Sequence, residues 1–559
     1  MTRGEVNEPK ARRVLRTSEA PAFCREGDMG RHYLTGRSVV YAKNGMVATS
    51  QTYATLAGLD ILREGGNAID AAVAAAAVQH VVEPHNTGIG GDMFALFWWA
   101  RTGDLKGLNA SGRAPGAATI EELRRRGHRQ MPIEHVHAIT TPGALDGWAT
   151  LMESYGRMDL SRVLAPAIRL AEEGFVVSPV VSREWEASAE KLSRDQDAAR
   201  HYLLAGRAPR AGETFRNPAL AQTLRTVVEG GKGVLYQGEL GEKVVRAVRE
   251  KDGLLAMEDL ASHRSDWVEP IQATFHGYQV FELPPNGQGI TALIALNILE
   301  EFDLPALGHN SADYCHLVLE AIKLAFADRN YHVTDPQAET VPTERLLSKA
   351  YAAERRKLID SRRALPEVSP GRVASGDTVY LATADAEGNM VSFINSLYFH
   401  FGSGVCAGET GLLMQNRGTG FVLDENHPNR LQPHKRPLHT LIPAFLMKDG
   451  TPLMAFGVMG GDMQPQGHIQ FLLNHLVFGM DIQEAVEAPR FRFVGGNEVW
   501  LEDRIPAAIA EDLARRGHQA YYRVDSIGFG GAQIIARDPE TGVYSGASES
   551  RKDGCALGY

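Results

Sequence analysis

Near the middle of the chain lies the segment Asp377-Thr378-Val379-Tyr380-Leu381-Ala382-Thr383-Ala384-Asp385-Ala386-Glu387-Gly388-Asn389. It predicts a strand that begins at Thr378 and turns back at a Gly-Asn pair. A threonine hydroxyl is a weak nucleophile until a base takes its proton, and the free α-amine of an N-terminal threonine can be that base near neutral pH. A cut before Thr378 would therefore create a nucleophile. Taken alone, the segment is explained more simply by the β-propensity of threonine.

The register of this hairpin follows from its loop. If Asp385 to Asn389 form a five-residue loop, Ala384 faces Met390, and Ser396 lies directly opposite Thr378. Directly opposed side chains are close enough for the two hydroxyl groups to interact. Tyr398 would then lie just beyond the pairing, facing Gly376 and beside any cut before Thr378.

Charge and composition limit the possible partners. The 559 residues include 58 basic and 68 acidic ones, which gives a formal net charge of -10. Nucleic acids and anionic membranes both favour a basic surface, so neither is expected as a partner. A small anionic substrate in a local basic pocket remains compatible with this balance.

Cysteine usage and the N-terminal sequence suggest the compartment. Cys24, Cys315, Cys406 and Cys555 lie far apart without a Cys-x-x-Cys pair, so neither a zinc ligand set nor a disulfide scaffold is predicted. The first 17 residues lack the apolar core of a signal peptide. We expect a cytoplasmic protein with no metal.

One glycine-rich segment superficially resembles a dinucleotide loop. Gly88, Gly90 and Gly91 do not follow the Gly-x-Gly-x-x-Gly spacing, and they precede an apolar strand, Phe94 to Trp99, where that fingerprint requires a helix. The sequence therefore disfavours nicotinamide and flavin binding, and no cofactor is predicted.

The order of patterns along the chain predicts a layered fold. Residues 1–44 are a polar N-terminal arm, helical spacing dominates 141–347, and 361–377 read as a proline-, glycine- and serine-containing loop. Strand patterns follow Thr378, including Met390 to Phe401 and Gly411 to Gln415. Asp328 and Arg329, near the end of one helix, are interpreted as a structural pair. The succession of helices, strands and helices predicts sheets packed between helical layers.

Two later segments carry candidate chemistry. Gly460 and Gly461 follow a predicted strand, where two backbone amides could point at a developing oxyanion, although a tight turn explains a glycine pair equally well. His439 and Thr440 lie between two prolines, and packing or a backbone hydrogen bond is the simpler role for a lone histidine.

Many collinear motifs together resemble the gamma-glutamyltransferase family of N-terminal-nucleophile hydrolases over nearly everything after residue 45. The motifs are Gly65-Gly66-Asn67-Ala68-Ile69-Asp70-Ala71-Ala72, Gly88-Ile89-Gly90-Gly91, Thr141-Pro142-Gly143, Phe326-Ala327-Asp328-Arg329, Asp385-Ala386-Glu387-Gly388-Asn389, Phe401-Gly402-Ser403-Gly404, Gly460-Gly461 and Glu487-Ala488-Pro489-Arg490-Phe491.

The resemblance implies an α+β fold, a four-layer αββα sandwich, and self-cleavage between Asp377 and Thr378. A large subunit, 45–377 after the arm, and a small subunit, 378–559, would stay associated as a heterodimer in one fold, with higher oligomers possible. The resemblance also implies an acyl-threonine intermediate, with Gly460 and Gly461 as oxyanion donors and Ser396 supporting the nucleophile.

The chain departs from the transpeptidases of this family where they bind substrate. Ser111 stands at the place of the arginine that holds the glutamyl α-carboxylate, with Arg113 close enough to substitute. Gly420 occupies the position of the acidic residue that accepts the α-amine. Further differences are Arg417 for a glutamine, Tyr398 for an asparagine, His439-Thr440 for paired serines and Val379 for a second threonine.

These departures shape the predicted substrate. A glutamyl ammonium group would be unpaired in a partly buried pocket, whereas Arg417 could hold a carboxylate through two hydrogen bonds. A surface ion pair is an equally good explanation of Arg417. The pattern most resembles the oxamate amidohydrolase and acylase branch, which implies hydrolysis of a small carboxylate-bearing amide. Alternatives are a gamma-glutamyl transpeptidase or glutathione hydrolase, and an uncleaved, non-catalytic family member.

Overall fold

The computed structural model describes residues 35–366, 378–523 and 528–559. Cys24, Gly376 and Asp377, which figure in the sequence predictions, lie outside the described residues.

Nineteen strands form in the described part of the chain. They are β1 (Val40–Ala42), β2 (Met46–Thr49), β3 (Asp92–Trp99), β4 (Asp104–Ala110), β5 (Phe175–Val176), β6 (Thr214–Phe215), β7 (Asp266–Val268), β8 (Ile271–Phe275), β9 (Tyr278–Glu282), β10 (Val379–Ala384), β11 (Met390–Ser396), β12 (Ala444–Lys448), β13 (Thr451–Met459), β14 (Phe491–Gly495), β15 (Glu498–Glu502), β16 (Gln519–Arg523), β17 (Gly531–Arg537), β18 (Tyr544–Ser548) and β19 (Cys555–Gly558).

The helices of the described residues are α1 (Thr52–Arg63), α2 (Ala68–Val82), α3 (Ile120–Arg125), α4 (Ala144–Tyr155), α5 (Leu160–Glu173), α6 (Pro179–Glu186), α7 (Ala189–Ser193), α8 (Gln196–Tyr202), α9 (Pro218–Gly230), α10 (Gly233–Tyr236), α11 (Glu239–Glu250), α12 (Met257–Ala261), α13 (Gly289–Leu299), α14 (Leu304–Leu307), α15 (Ala312–His332), α16 (Thr343–Leu346), α17 (Lys349–Arg356), α18 (Met463–Leu472), α19 (Ile482–Glu487) and α20 (Ala507–Arg515). Short 3-10 turns span Val136–Ala138, Gly408–Thr410 and Arg417–Gly420, and a π-helical turn, Leu473–Val477, continues α18.

Two seven-stranded sheets form the centre of the molecule. One has the order β1-β18-β17-β13-β12-β9-β8, and the other has the order β19-β2-β10-β11-β3-β4-β7. Every pairing within these two sheets is antiparallel. The sheet that contains β10 combines strands from both sides of residue 378, so neither part of the chain can complete it alone.

Three apolar layers hold the sheets and helices together. Alternate residues of β10, such as Tyr380 and Ala382, face a core between the sheets, while Leu381 faces the core shared with α1, α2 and α5. A third core lies between the other sheet and α13, α15 and α18. These helix, sheet, sheet and helix layers confirm the predicted αββα sandwich.

The loop between β10 and β11 also anchors a helix. The Gly388 N–H donates to the Asp385 carbonyl at 3.1 Å, and Gly388 has φ +88°, which glycine adopts without strain. One carboxylate oxygen of Asp385 accepts from the Ala68 N–H at 2.9 Å, at the N-terminus of α2. A carboxylate is favoured at a helix N-terminus because the first N–H groups lack intrahelical partners.

Some local predictions were wrong. Val40–Ala42, assigned to the arm, form the edge strand β1, because they pair with β18. The strand predicted beyond Ser396 ends at that residue, and 411–415 form irregular backbone with one isolated bridge at Leu413.

The predicted pair at the end of α15 is also absent from the structure. Asp328 binds Arg355 and Tyr351, whereas Arg329 pairs with Asp462. Adjacent residues of a helix point in different directions, so each of these two side chains pairs with a residue of another element. No helix in the described part of the chain is both long and apolar enough to cross a bilayer.

Close packing between the sheets predicts that Gly457 cannot be replaced. A Cβ atom added to Gly457 in β13 would lie 2.4 Å from Cε2 of the buried Tyr380 ring. We expect Gly457→Ala to lower the free energy of unfolding by about 1–3 kcal/mol, as overpacked cores do. Denaturant titration followed by circular dichroism measures the change. Gly233→Ala, where an added Cβ meets nothing within 4 Å, is the control. Equal stability of both variants would contradict the proposed packing.

Candidate active site

Thr378 lies immediately before β10 and is fully buried. Its hydroxyl donates to Ser396 Oγ at 3.2 Å, and Gln464 Nε2 donates to Thr378 Oγ1 at 3.3 Å. In the observed register Val379 pairs with Asn395 and Ala384 with Met390. The predicted register, with Ser396 opposite Thr378, is therefore confirmed.

The row of polar side chains that begins with Thr378 and Ser396 continues onto a third strand. Ser396 pairs with Asp92 at the start of β3, and Ser396 Oγ also accepts the Tyr398 N–H at 2.7 Å. Asp92 Oδ1 accepts from the Gly112 and Gly143 N–H groups and from Gln415 Nε2, at 3.0, 3.1 and 2.9 Å. These donors fix the carboxylate in a fully buried position.

His439 binds the remaining oxygen of Asp92. Its Nε2 lies 3.1 Å from Asp92 Oδ2, while Nδ1 accepts from the Leu441 N–H at 3.3 Å. These partners select the tautomer with a proton on Nε2. Burial, followed by the positive charge of Arg417, lowers the pKa of His439 to about 3. The imidazole is therefore neutral at pH 7.

Asp92 is ionised, although its histidine partner is neutral. Burial acts to raise the pKa of Asp92, but the hydrogen bond from His439 and the charge of Arg417 outweigh it, so the pKa lies below its ordinary value. Asp92 is a carboxylate at neutral pH and supplies negative charge beside Arg417.

Gly460 and Gly461 form the turn between β13 and α18. Both have positive φ, +122° and +58°, and their carbonyls accept from Met463 N and Gln464 N at 3.0 and 3.2 Å. In the described part of the chain, their own N–H groups have no hydrogen-bond acceptor. Two such amides next to a helix N-terminus can stabilise an oxyanion.

This turn is held from behind by a buried polar network. Gln288 Nε2 donates to the carbonyls of Gly461 and Thr440 at 3.0 and 2.9 Å. Gln288 Oε1 accepts from Arg329 Nη1 at 2.5 Å, and Arg329 also pairs with Asp462. Gln288 thus ties the glycine turn to the segment that carries His439 and Thr440.

Arg417 is fully buried and only partly bonded. Its Nη1 donates to Thr440 Oγ1 at 2.8 Å, and its guanidinium carbon lies 4.1 Å from the centre of the Tyr398 ring. Its Nε and Nη2 atoms have no hydrogen-bond partner among the described residues. Burial, opposed by the charge of Asp92, lowers the pKa of Arg417 to about 10. Two unsatisfied donors on a buried cation are costly, which favours an anion in contact with them.

The other two predicted binding residues have different surroundings. Ser111 is buried and donates to Asn109 Oδ1 at 2.8 Å, and Asn286 Nδ2 donates to Ser111 Oγ at 3.2 Å. Arg113 is partly exposed and contacts Gln337 and Asp266, at 3.0 and 3.6 Å. Its guanidinium is therefore engaged near the surface, which does not support its substitution for the family arginine.

Sequence reasoning missed Asp92, Gln288 and Gln464. Asp92 was visible as a carboxylate after a glycine-rich turn, and Gln464 as an amide in the first turn of a helix that follows two glycines. No local signal marked Gln288, because its partners lie in distant parts of the chain. Two triads of potential metal ligands exist among the described residues, and neither includes a residue of this site; they are His128/His135/His137 and His316/Glu320/His518.

Comparisons with known proteins identify the family of this chain. A family model described as gamma-glutamyltranspeptidase matches residues 54–559. The glutathione hydrolase-like YwrD proenzyme of Bacillus subtilis is 38% identical over 93% of this chain and 99% of its own length. The oxamate amidohydrolase proenzyme of Klebsiella pneumoniae is 35% identical over 92% of this chain and 98% of its own length.

A solved structure extends the similarity to three dimensions. Cephalosporin acylase from Bacillus halodurans superposes with a TM-score of 0.89 at 47% identity, covering 95% of this chain and 99% of that one. The chain belongs to the gamma-glutamyltranspeptidase family and is an N-terminal-nucleophile hydrolase.

Proposed function

We propose that this chain is a precursor that cleaves itself between Asp377 and Thr378 and then hydrolyses a small amide whose acyl group carries a carboxylate. Thr378 is the nucleophile, and Arg417 binds the carboxylate. The observation that carries the substrate assignment is the buried Arg417 guanidinium with its unpartnered Nε and Nη2 atoms.

Self-cleavage begins with the Thr378 hydroxyl. Its oxygen attacks the Asp377 carbonyl carbon, the peptide C–N bond breaks, and the nitrogen becomes the α-amine of Thr378 as an ester forms on Oγ1. Water then opens the ester, releasing the carboxyl end of the large fragment. The hydrogen bonds of Thr378 Oγ1 to Ser396 and Gln464 support this step, because they hold the oxygen in one orientation.

Turnover uses the amine released by the cut. The Thr378 α-amine takes the proton of Oγ1, which attacks the substrate amide carbon while the Gly460 and Gly461 N–H groups stabilise the oxyanion. The leaving nitrogen takes a proton from the amine and departs as ammonia or an amine. Water hydrolyses the acyl-threonine ester and frees the acid.

The two fragments would remain associated. Residues 45–377 provide β2 and β3, and residues 378–559 provide β10, β11 and β19, of one continuous sheet. Because β10 pairs with β2 and β11 pairs with β3, separation would expose both strand edges and the cores on both faces.

A zwitterionic glutamyl group fits this pocket less well than a simple carboxylate. A Cβ at Gly420 would lie 2.6 Å from the Leu438 carbonyl oxygen, so the turn leaves no room for an acidic side chain there. Asp92, the nearby carboxylate, already accepts hydrogen bonds from two backbone amides and from the side chains of Gln415 and His439. A substrate ammonium would therefore have no free carboxylate among these residues.

The similar proteins support the same substrate class. Oxamate, the substrate in the name of the Klebsiella relative, is an amide whose acyl group bears a carboxylate. Glutathione hydrolases are also among the relatives, with the Escherichia coli proenzyme 32% identical over 93% of this chain. Gamma-glutamyl hydrolysis or transfer is therefore the main rival activity, and an uncleaved non-catalytic protein is the other rival.

Self-cleavage depends on the Thr378 hydroxyl. Purified wild type should yield fragments of 377 and 182 residues, whereas Thr378→Ala should remain one chain of 559 residues on denaturing electrophoresis. Thr378→Ser retains a hydroxyl and should still cleave, at a lower rate. An intact wild-type chain after prolonged incubation at neutral pH would refute self-cleavage and favour the non-catalytic alternative.

Replacement of the Arg417 guanidinium should lower kcat/KM for amides that carry a carboxylate. Charge-assisted hydrogen bonds contribute about 1.5–3 kcal/mol, so we expect Arg417→Lys to lower kcat/KM for ammonia release from oxamate roughly 10- to 100-fold. Complete self-cleavage and an unchanged melting temperature would show that the variant is folded.

Arg113→Ala is the matched control for Arg417→Lys, because the Arg113 guanidinium is held by Asp266 and Gln337. It should change kcat/KM for oxamate less than about twofold, the usual effect of a surface substitution. An unchanged kcat/KM in Arg417→Lys would remove Arg417 from the binding site.

A direct comparison of substrates separates the proposed activity from its main rival. The processed enzyme should release ammonia from oxamate or another small carboxylated amide with higher kcat/KM than it releases aniline from a gamma-glutamyl anilide. Efficient glutamyl transfer to dipeptide acceptors, with no hydrolysis of carboxylated amides, would contradict the substrate assignment while leaving the Thr378 nucleophile in place.

A further inference from the structure

Three histidines lie together away from Thr378. His128, His135 and His137 each present a ring nitrogen within 4.8 Å of the other two. Their ring centres are 4.5–5.1 Å apart. The cysteine pattern predicted no metal site, but imidazole nitrogens alone can form one.

Both ring nitrogens of His137 have close neighbours. Its Nε2 lies 3.0 Å from the Asp252 carbonyl oxygen, which can only accept, and 3.0 Å from Arg126 Nη1, which can only donate. Its Nδ1 lies 2.8 Å from His128 Nε2, so a metal ion between these rings would replace a hydrogen bond. A metal bound at Nδ1 would place the ring proton on Nε2, facing the Asp252 carbonyl, as is common in metal-binding histidines.

A neighbouring arginine is paired with a carboxylate. Arg126 Nη1 lies 3.0 Å from His137 Nε2, and it also contacts the Asp252 carbonyl at 3.0 Å and the Asp252 carboxylate at 2.6 Å. Asp252 thus balances the charge of Arg126 on the side of His137 opposite to Nδ1.

The other two histidines are more accessible than His137. His128 is half-buried, whereas His137 is buried. His135 is exposed, and its Nδ1 accepts from the His137 N–H at 3.2 Å. A cavity of about 790 Å³ lined by residues 127–134 adjoins His128.

We propose that His128, His135 and His137 bind one divalent transition-metal ion of the Zn²⁺ class. Three imidazoles with an open fourth position suit a tetrahedral ion, and they do not suit Mg²⁺ or Ca²⁺, which prefer oxygen ligands. If His135 binds through Nδ1, it exchanges the hydrogen bond from the His137 N–H for the metal.

The position of this triad gives the metal a structural role. The segment between His128 and His137 contacts the turn Arg417–Gly420 and the residue before it. Thr419 Oγ1 donates to the Pro132 carbonyl at 2.8 Å, and Asn416 Nδ2 donates to the Ile133 carbonyl at 2.8 Å. A metal that joins the ends of this segment restrains the loop on which the Arg417 turn packs.

The second triad is a poorer metal site. His316, Glu320 and His518 are buried, and Glu320 already pairs with Lys323 Nζ at 2.7 Å. His316 uses both ring nitrogens, one toward His518 at 2.8 Å and the other toward the Asp360 carbonyl at 2.7 Å. The Glu320 carboxylate is therefore already engaged by a cationic side chain.

Calorimetric titration of Zn²⁺ into the full, metal-free protein at pH 7 tests the proposal. Wild type should bind one Zn²⁺ per chain, and its melting temperature should rise with Zn²⁺ concentration. His135→Ala should weaken binding by more than roughly tenfold, since even the loss of a group that supports a ligand weakens binding 10- to 100-fold. Because His135 is exposed, its replacement by alanine leaves no cavity in the core, and we expect the variant to fold.

A second ligand variant and one control variant complete the test. His128→Ala should reproduce the loss, whereas His332→Ala, a histidine at the end of α15 outside the triad, should bind Zn²⁺ as wild type does. The proposal is overturned if wild type binds no Zn²⁺ stoichiometrically, or if His128→Ala and His135→Ala bind it with wild-type affinity. Neither result bears on the role of Thr378.

Discussion

A row of three polar side chains across three neighbouring strands is the constraint on which the rest of the site depends. Thr378, Ser396 and Asp92 lie side by side at the ends of β10, β11 and β3, joined by strand pairing and, between the first two, by a hydroxyl hydrogen bond. A slip of one residue would turn every side chain of a strand to the opposite face. The cores on both faces of the sheet therefore fix the register and, through it, the position of Thr378.

The proposed nucleophile and the proposed carboxylate-binding residue are built on different elements. Thr378 belongs to the sheet, whereas Arg417 lies in a 3-10 turn and binds Thr440 on a loop. Asp92 connects the two parts, since it is in the polar row and its charge acts on Arg417. In the proposed mechanism, the group that reacts and the group that holds the acyl portion therefore belong to separate elements.

The sequence predicted those parts of the fold that depend on local chemistry. The loop Asp385 to Asn389 set the hairpin register, because its turn residues and its length determine which residues oppose each other. Helix limits such as those of α5 followed from apolar spacing. The edge strand β1 was missed because three residues with a mixed burial pattern carry little periodic signal.

Contacts between distant segments could not be predicted in this way. Arg329 was assigned to its neighbour in the chain, yet it pairs with Asp462 across the fold. Gln288 and Gln464 reach the site through tertiary packing, and ordinary glutamines carry no local pattern that marks such contacts. The three-histidine cluster was likewise invisible to an argument based on cysteine spacing, although all three residues lie within ten positions.

The N-terminal sequence and intact mass of the smaller fragment from the purified protein test the central claim most directly. We expect a fragment that begins at Thr378 with a free α-amine and ends at Tyr559. A fragment that begins at any other residue, or a Thr378 that remains joined to Asp377 in active protein, would contradict it.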